Sequence, residues 1–280
     1  MGKNTVAILG GRGMLGTDLA RTCRNQGLHV EVFDLPDFDI TEQQQLGDAI
    51  GQAEIIINCA AYTNVDKAES ESELAYKVNA QAVGTLGMLA QKMQKWVLHI
   101  STDFVFDGKL NRPYVETDSP NPINVYGRTK LASEQLLAQS KCAYCIIRLQ
   151  WTYGLAGTNF VTKLIAGARK DKNIRVVDDQ IGSPTATIEV AAAICQLLPR
   201  KPLGCFHFAA SGYVSRFEMA KFIFDELDMS VNLINCKSSD FPRPAARPLN
   251  SRFNCAKIQD LLDKPIKLWQ VPLKRFLEQL

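Results

Sequence analysis

Short apolar runs alternate with longer amphipathic segments through the first half of the chain, and this alternation limits the possible folds more than any other feature. The apolar runs are rich in Val, Ile and Leu, which is typical of parallel strands covered on both faces by helices. A βαβα order therefore predicts an α/β fold with a doubly wound parallel sheet. The predicted strands are Thr5–Leu9, Val30–Phe33, Glu54–Asn58, Trp96–Ile100 and Tyr144–Leu149, and the predicted helices are Leu15–Gln26, Thr41–Ile50, Glu71–Met93 and Tyr126–Gln139.

The regular alternation ends near Gln150, and the rest of the chain mixes strand-like with helical patterns. Prolines cluster between Phe241 and Pro248, where neither a helix nor a central strand is favoured. We therefore predict a large domain over residues 1–150, with its sheet completed by part of residues 187–210. Residues 151–280 are predicted to form a smaller, partly interleaved C-terminal lobe. Its strand-like pieces are Ile174–Val177, Cys205–Ala209 and Asn232–Cys236, and its helical pieces are Thr187–Leu198, Phe217–Leu227 and Leu273–Gln279.

The composition limits the possible partners and the compartment. Of 280 residues, 46% are hydrophobic and 22% charged, and the net charge of +3 is too small to indicate nucleic-acid binding. No apolar stretch approaches the roughly 18 residues of a membrane helix, and the start of the chain lacks the apolar region of a signal peptide. Eight cysteines stand without the spacing of a disulfide framework. We therefore expect reduced thiols in a cytoplasmic protein that binds neither nucleic acid nor membrane.

Cys142 and Cys145 are the one cysteine pair with a spacing that occurs in zinc and redox sites. The pair opens an apolar strand pattern, in which residues three apart face opposite ways. Two thiolates on opposite faces cannot hold one metal ion, so the pair predicts no metal site.

A glycine-rich loop follows the first predicted strand and opens the first predicted helix. Glycine is needed where a turn takes positive φ and where main chain approaches a pyrophosphate without a Cβ in the way. The helix N-terminus then offers free N–H groups to that anion. The loop predicts that residues 1–150 form an NAD(P)-binding Rossmann domain. Its residues are Gly10, Gly11, Arg12, Gly13, Met14, Leu15 and Gly16, with GxxGxxG spacing.

Two residues bear on the choice between NADH and NADPH, and they favour opposite answers. Asp34 ends the second predicted strand, where an acidic side chain holds the adenine ribose hydroxyls and repels a 2′-phosphate. Arg12 lies within the glycine loop, where a guanidinium would attract that phosphate. The sequence leaves the preference open.

Tyr126 and Lys130 stand four residues apart at the start of a predicted helix, so that both side chains lie on one face. A tyrosine with its ordinary pKa of about 10 exchanges protons poorly at neutral pH. We expect the Lys130 ammonium to lower the pKa of Tyr126, and to bind the nicotinamide ribose. A YxxxK pair alone is a weak signal, because such pairs also occur on helix surfaces.

Hydroxyl side chains at the end of the fourth predicted strand strengthen that interpretation. Ser101, Thr102, Asp103 and Phe104 lie where a doubly wound sheet binds its ligands, beyond the carboxyl ends of the strands. A hydroxyl there would bond a substrate carbonyl and orient it towards Tyr126. The alternative is that Ser101 and Thr102 only cap a turn. The order of glycine loop, strand-end hydroxyl and YxxxK favours a reductase site.

The same order of motifs resembles the extended short-chain dehydrogenase/reductases and, within them, the dTDP-4-dehydrorhamnose reductase family. The resemblance runs from the first strand almost to the C-terminus. Its blocks are Asn58–Glu69, Val78–Ala80, Ser101–Phe106, Pro122–Gly127, Arg148–Trp151, Asp179–Thr185 and Arg247–Arg252.

The resemblance implies reduction of the 4-keto group of dTDP-4-dehydro-6-deoxy-L-mannose to dTDP-L-rhamnose, a step in polysaccharide biosynthesis, with NADPH or NADH. It implies that Tyr126 donates the proton, that Lys130 assists it and holds the ribose, and that Thr102 polarises the keto oxygen. It places Asp103, Phe104 and Trp151 against the sugar. The implied cofactor contacts beyond the glycine loop, Tyr126 and Lys130 are Asp34, Asp39, Ile40, Ala60, Ala61 and Tyr62.

The proline-rich segment carries arginines that would suit a diphosphate. We expect Arg243, Arg247 and Arg252 to converge there, with Asn250 among the substrate contacts; a solvated basic loop is the alternative. Family members form a magnesium-bridged dimer, and Asp18 stands near the position of one acidic residue that contributes to it. Counterparts of its companions are not evident, so no metal is predicted, and a homodimer stays possible.

Other functions on the same fold are not equally favoured. Dehydratases place a second acid after the strand-end Thr-Asp, where this chain has Phe104. An epimerase, or a reductase of another nucleotide-linked keto sugar, fits the same motifs. A non-catalytic regulatory subunit of methionine adenosyltransferase type resembles the family as well. The sugar stereochemistry and the nucleotide base stay open.

Overall fold

A six-stranded parallel sheet forms the centre of the computed structural model, which describes residues 5–280. The α/β fold class with a doubly wound parallel sheet is confirmed. The strands are β1 (Thr5–Leu9), β2 (His29–Phe33), β3 (Ile55–Asn58), β4 (Trp96–Thr102), β5 (Ala143–Leu149), β6 (Thr152–Tyr153), β7 (Asn173–Val177), β8 (Ile181–Gly182), β9 (Thr185–Ala186), β10 (Gly204–Phe208), β11 (Val214–Ser215) and β12 (Asn232–Cys236).

The strand order β10-β5-β4-β3-β1-β2 reverses direction between β1 and β3. Leu9 at the end of β1 pairs with Asn58 at the end of β3, so both strands finish at the same level. Loops that leave two such strands in opposite directions open a crevice at the carboxyl edge of the sheet. The topology therefore places the glycine loop after β1 beside the segment that follows β3.

Helices cover both faces of the sheet, and the apolar residues of each strand divide between the two faces. Ile55 and Ile57 pack with α1 and α8, whereas Ile56 packs with α2, α5 and α6. This alternation is the two-residue period of a strand buried on both sides. The helices are α1 (Met14–Asn25), α2 (Gln43–Gly51), α3 (Val65–Ala68), α4 (Ser72–Tyr76), α5 (Ala82–Lys92), α6 (Val125–Gln139), α7 (Phe160–Lys170), α8 (Thr187–Leu197), α9 (Arg216–Glu226), α10 (Ala256–Gln259) and α11 (Gln270–Leu277).

The single helix predicted over Glu71–Met93 is wrong in detail, because a π-helical turn over Lys77–Gln81 separates α4 from α5. Within that turn Asn79 is fully buried. Its amide oxygen accepts from the Tyr62 main-chain nitrogen at 2.7 Å, and its amide nitrogen donates to the Thr129 hydroxyl at 2.9 Å. The wider turn thus ties the segment after β3 to α6, and sequence periodicity gives no sign of it.

The second half of the chain contributes to both parts of the molecule. After α8, β10 returns to the sheet and pairs with β5 in parallel. The remaining strands form two-stranded sheets, among them β7 with β12. Helices α7, α9 and α11 enclose a separate apolar cluster that includes Val161, Ile223 and Leu273. Residues 5–280 contain no helix long and apolar enough to cross a membrane.

All eight cysteines are free thiols. Cys145 packs in the apolar cluster under α1 and α8, and Cys142 packs in the cluster on the other face of the sheet. The two side chains therefore lie on opposite sides, as their spacing in the sequence predicts.

Candidate active site

A cavity of about 880 Å³ opens at the carboxyl edge of the sheet, above the ends of β1, β3, β4 and β5. Its volume lies in the range of sites that bind cofactors and small molecules. Most residues that the sequence singles out lie on its wall. These are Gly10, Gly13, Met14, Leu15, Gly16, Asp34, Asp39, Ile40, Ala60, Ala61, Tyr62, Thr102, Asp103, Phe104, Tyr126, Lys130 and Trp151.

Five of the sequence-predicted site residues lie outside that wall: Gly11, Arg12, Arg247, Asn250 and Arg252. Gly11 faces the sheet, because a Cβ there would lie 2.7 Å from a methyl group of Val32. It therefore allows the glycine loop to pack closely on β2.

The glycine loop closes tightly against the segment that follows β3. Gly10 has φ of +71°, and a Cβ on it would lie 2.5 Å from the Ala60 main-chain nitrogen. Gly13 precedes the first residue of α1, and no side chain caps this helix N-terminus. The main-chain N–H groups and the positive end of the helix dipole are therefore available to an anion. The loop fits the pyrophosphate of a dinucleotide.

Asp34 and Arg12 are not equivalent in the fold. The Asp34 carboxylate lies on the cavity wall and accepts from the main-chain nitrogens of Arg12 and Leu35, each at 2.8 Å. The Arg12 guanidinium donates instead to Asp37 at 2.6 Å and to the Leu35 carbonyl at 3.0 Å. The negative charge thus faces the cofactor site, while the positive charge is paired beside it.

Tyr126 occupies the first turn of α6, and the start of this helix is held against the end of β4. The Asn124 side chain caps α6 by accepting from the Gly127 nitrogen at 2.7 Å. The Phe104 ring meets the Tyr126 ring edge to face, with centroids 5.8 Å apart. The tyrosine is therefore fixed between the helix cap and the turn that follows β4.

The pKa of Tyr126 moves in the direction opposite to our expectation. Burial and the nearby Asp103 carboxylate raise the pKa of Tyr126 to about 12, and the adjacent Thr102 hydroxyl offsets only part of this. Lys130 does not act as the expected counter-charge, because its ammonium donates to the Ile100 carbonyl at 2.7 Å. The phenol is therefore protonated at neutral pH, which suits a proton donor.

Lys130 is itself buried, and burial lowers its pKa to about 8. Its ammonium lies 3.2 Å from Nε2 of His99. Burial and that ammonium hold the pKa of His99 well below its usual value, so the imidazole is neutral. The Asn58 amide donates to Nδ1 of His99 at 3.1 Å, which leaves Nε2 to donate to Ser133 at 2.9 Å. His99 therefore has a structural role beneath the lysine.

Ser101 and Thr102 differ in what their hydroxyl groups contact. Ser101 donates to Glu134 beneath the site, and Glu134 forms a buried ion pair with Arg148 at 2.6 Å. Thr102 lines the cavity, accepts from the Phe104 nitrogen at 3.2 Å and donates to Asp103 at 3.0 Å. Thr102 thus caps a turn and also lines the cavity. Ser101 lines the cavity as well, but its hydroxyl donates to Glu134 beneath the site.

Asp103 is a buried carboxylate held by two hydroxyl groups. Ser251 donates to one oxygen at 2.5 Å and Thr102 to the other. Burial nevertheless dominates and raises the pKa of Asp103 to about 6. Sequence spacing does not predict this contact, because Ser251 lies 148 positions further along the chain.

Arg216 is a residue of the cavity wall that sequence reasoning missed. Its guanidinium lies over the Trp151 ring at 3.5 Å and over the Phe160 ring at 4.6 Å. Its position gives one possible signal, since it directly precedes the predicted helix Phe217–Leu227. A single arginine at a helix start carries no indication of a cavity.

The arginines of the proline-rich segment turn away from the cavity. Arg247 forms two hydrogen bonds with Asp66, and Arg243 lies 3.8 Å from the same carboxylate. Arg252 donates to the Asn111 carbonyl at 2.7 Å and to the side chain of Asn250 at 2.9 Å. These contacts attach the segment to its neighbours, and they occupy the guanidinium groups of Arg247 and Arg252, two of the three that we expected to bind a diphosphate.

Within the part of the chain that the structure describes, no group of three or more His, Cys, Asp or Glu side chains is arranged to hold a metal ion. Asp18 is buried and engaged by Arg21 and by the Thr187 hydroxyl, each at 2.6 Å. Its carboxylate joins α1 to α8.

The comparisons with known proteins agree over nearly the whole chain. The family model of the RmlD substrate binding domain matches residues 4–280. The dTDP-4-dehydrorhamnose reductase of Escherichia coli K12 is 33% identical over 98% of this chain and 97% of its own. The crystal structure of dTDP-4-dehydrorhamnose reductase from Bacillus anthracis in complex with NADP is 35% identical, with a TM-score of 0.95 over 100% of both chains. A dTDP-4-dehydrorhamnose reductase from Clostridium acetobutylicum superimposes with a TM-score of 0.94 at 33% identity, over 98% of this chain and 99% of the other.

Proposed function

Because the chain belongs to the RmlD family of dTDP-4-dehydrorhamnose reductases, we propose that it reduces the 4-keto group of dTDP-4-dehydro-6-deoxy-L-mannose to give dTDP-L-rhamnose. The chain is an NAD(P)H-dependent oxidoreductase. The observation that carries the proposal is the meeting of Thr102, Tyr126 and Lys130 on the wall of one cavity that also contains the glycine loop.

The cofactor site takes up the side of the cavity next to β1 and β2. A bound NADPH or NADH supplies the hydride that reduces the substrate. The uncapped start of α1 would hold the pyrophosphate, and Asp34 would bind the adenine ribose. Lys130 has three N–H donors and the Ile100 carbonyl takes one, so others remain for ribose hydroxyls. The further residues that would line the cofactor are Asp39, Ile40, Ala60, Ala61 and Tyr62.

Tyr126 supplies the proton in this proposal. As the substrate carbon at position 4 gains the hydride, its oxygen gains electron density and takes the phenolic proton of Tyr126. The raised pKa keeps that proton in place at neutral pH until the oxygen becomes basic enough to remove it. Thr102 lies next to the tyrosine and orients the keto oxygen towards it.

The sugar occupies the opposite side of the cavity. Asp103 accepts from sugar hydroxyls, and the Phe104 and Trp151 rings give flat apolar surfaces for the pyranose ring. Arg247, Asn250 and Arg252 lie behind this wall and act in the proposal by positioning the proline-rich segment.

We also propose a domain boundary and a cellular location. The boundary between the cofactor domain and the substrate lobe would lie near residue 150, where the chain leaves β5. We also propose a cytoplasmic location, which the eight free cysteines support.

The direct test mixes the purified protein with enzymatically made dTDP-4-dehydro-6-deoxy-L-mannose and follows the loss of NADH or NADPH absorbance. We expect oxidation that depends on the sugar nucleotide and that the substitution Tyr126→Phe abolishes. If the protein binds dinucleotide but oxidises neither cofactor in the presence of this sugar nucleotide, the proposed function is wrong. Another nucleotide-linked keto sugar, or a regulatory role without catalysis, would then be tested next.

A further inference from the structure

Arg216 is a cation on the cavity wall without a partner of its own. Among residues 5–280, no group forms an ion pair or a side-chain hydrogen bond with its guanidinium, whose contacts are the Trp151 and Phe160 rings. Arg247 and Arg252, by contrast, are engaged by Asp66 and by the Asn111 carbonyl. Among the residues that line the cavity, Arg216 is the arginine, and its N–H donors remain available to a ligand.

The surroundings hold the guanidinium in place without using those donors. Trp151 has φ of +45°, a conformation that is costly for a residue with a side chain. Gly182 admits the Trp151 ring, because a Cβ at Gly182 would lie 2.7 Å from it. Stacking on Trp151 and Phe160 then fixes the plane of the guanidinium. Such pre-organisation lowers the entropy that a ligand would otherwise lose on binding.

The electrostatic surroundings favour an anion at this point. Burial lowers the pKa of Arg216 to about 9, and Asp103 is the one group that offsets this effect. Asp103 is already engaged by Thr102 and Ser251. A guanidinium that is partly desolvated and unpaired gains most from a ligand with negative oxygen atoms, which its planar fork binds in pairs.

A second donor without a partner lies next to Trp151 on the same wall. Gln150 is 1% exposed, and its side-chain oxygen accepts from the Ser183 nitrogen at 3.0 Å. Its amide nitrogen has no hydrogen-bond partner within the described residues 5–280. Buried N–H groups are rarely left unpaired, so this nitrogen also indicates an acceptor on the ligand.

We propose that Arg216, stacked on Trp151, binds the diphosphate of the nucleotide sugar and thereby selects a substrate with a diphosphate link. This assignment rests on the proposed function for the class of substrate. It replaces the arginines of residues 243–252 as the diphosphate site. Arg216 follows the Ser215 cap of α9, so that the main-chain geometry at the start of that helix fixes its Cα.

The test measures binding of dTDP and of thymidine by isothermal titration calorimetry, without catalysis. Arg216→Gln is expected to weaken dTDP about 10-fold to 100-fold, the effect of losing charge-assisted hydrogen bonds. Thymidine affinity, which involves no phosphate, stays unchanged. Arg216→Lys keeps the charge but lacks the planar fork of the guanidinium, so its affinity for dTDP should lie between those of the unmodified protein and Arg216→Gln. Arg200→Gln serves as the matched control, since Arg200 is exposed and pairs with Asp263 away from the cavity.

Three results would overturn the inference. They are no dTDP binding by the unmodified protein, unchanged dTDP affinity in Arg216→Gln, and an equal loss of affinity for dTDP and for thymidine in that variant. Unchanged affinity combined with a loss in Arg252→Gln would return the diphosphate to the proline-rich segment. The keto-sugar assay on the unmodified protein separates the two proposals. Binding of dTDP that depends on Arg216, without any reduction of the keto sugar, would refute the proposed function and support this inference.

Discussion

The two sides of the cavity are built in different ways. The cofactor side is mostly main chain: the glycine loop after β1, the segment after β3 and the start of α1, with Gly10 pressed against Ala60. The substrate side is made of side chains, and its residues Asp103, Trp151, Arg216 and Ser251 come from separate segments. A main-chain site leaves a contiguous motif in the sequence, whereas a side-chain site leaves single residues that look ordinary.

We therefore expect substitutions on the two sides to impair the binding of different ligands. A substitution on the cofactor side should weaken dinucleotide binding and leave dTDP binding intact, and a substitution on the substrate side should do the reverse. Tyr126 lies where the two sides meet. Its substitution should lower the rate of the chemical step and leave the binding of both ligands unchanged.

The largest effect is expected for Tyr126→Phe, which removes only the phenolic hydroxyl. We expect kcat to fall about 10²-fold to 10⁴-fold, the usual contribution of a positioned proton donor. The dissociation constants of NADPH and dTDP, measured by titration, should stay the same. Tyr76→Phe, at an exposed position, is the control. A variant at Tyr126 with more than a tenth of the original kcat would contradict the role of Tyr126.

The pH dependence tests the lysine on the cofactor side. Since burial lowers the pKa of Lys130 to about 8, the ammonium is lost as pH rises through 8, while Tyr126 with its pKa near 12 stays protonated. We expect kcat/KM for NADPH to fall about tenfold per pH unit above about pH 8. In Lys130→Arg the side chain stays charged, so the decline should disappear below pH 10. The same decline in that variant would assign it to another group.

Gly10→Ala should damage the main-chain side selectively. Gly10 has positive φ, and the new Cβ would lie 2.5 Å from the Ala60 nitrogen. We expect a loss of about 1–3 kcal/mol in the free energy of unfolding and weaker NADPH binding, with dTDP affinity retained. Gly47→Ala in α2 is the matched control, because a Cβ there meets nothing within 4 Å. It should raise stability by about 0.5–1 kcal/mol. Loss of dTDP affinity in Gly10→Ala would mean that the two sides are coupled.

The smallest effect concerns the choice of dinucleotide. Asp34→Asn removes a negative charge from the cavity wall, where we propose that the cofactor ribose binds, so the ratio of kcat/KM for NADPH to that for NADH should rise about fivefold to tenfold. Asp37→Asn frees the Arg12 guanidinium from its 2.6 Å ion pair and should shift the ratio in the same direction, but less. Steady-state kinetics with both cofactors measures each ratio. An unchanged ratio in both variants would show that neither charge takes part in the choice.

Regular patterns in the sequence predicted the sheet and the position of the glycine loop after β1. Each predicted strand of the first half lies within about two residues of an observed strand, because a buried parallel strand must be apolar along its whole length. The glycine loop was predicted because local geometry requires Gly10 and Gly16 at fixed spacing. The π-helical turn at Lys77–Gln81 was not predicted, because it changes the helical period of the sequence for one turn only.

The substrate side shows where such prediction stops. The arginines of the proline-rich segment looked suited to a diphosphate, yet Asp66 and main-chain carbonyls engage Arg247 and Arg252. The arginine that lines the cavity without a partner is Arg216, which no motif marks. Which arginine is free depends on which carboxylates lie nearby, and those come from segments far apart in the chain.

The sequence by itself determined the fold class, the glycine loop and the one-face placement of Tyr126 and Lys130, because each follows from local geometry and from burial along single elements. Only the tertiary structure decided the protonation of Tyr126, which depends on burial and on Asp103 rather than on its helical neighbour Lys130. It also decided which arginine faces the cavity. Desolvation and charge pairing act across space, between residues that the order of the chain does not bring together.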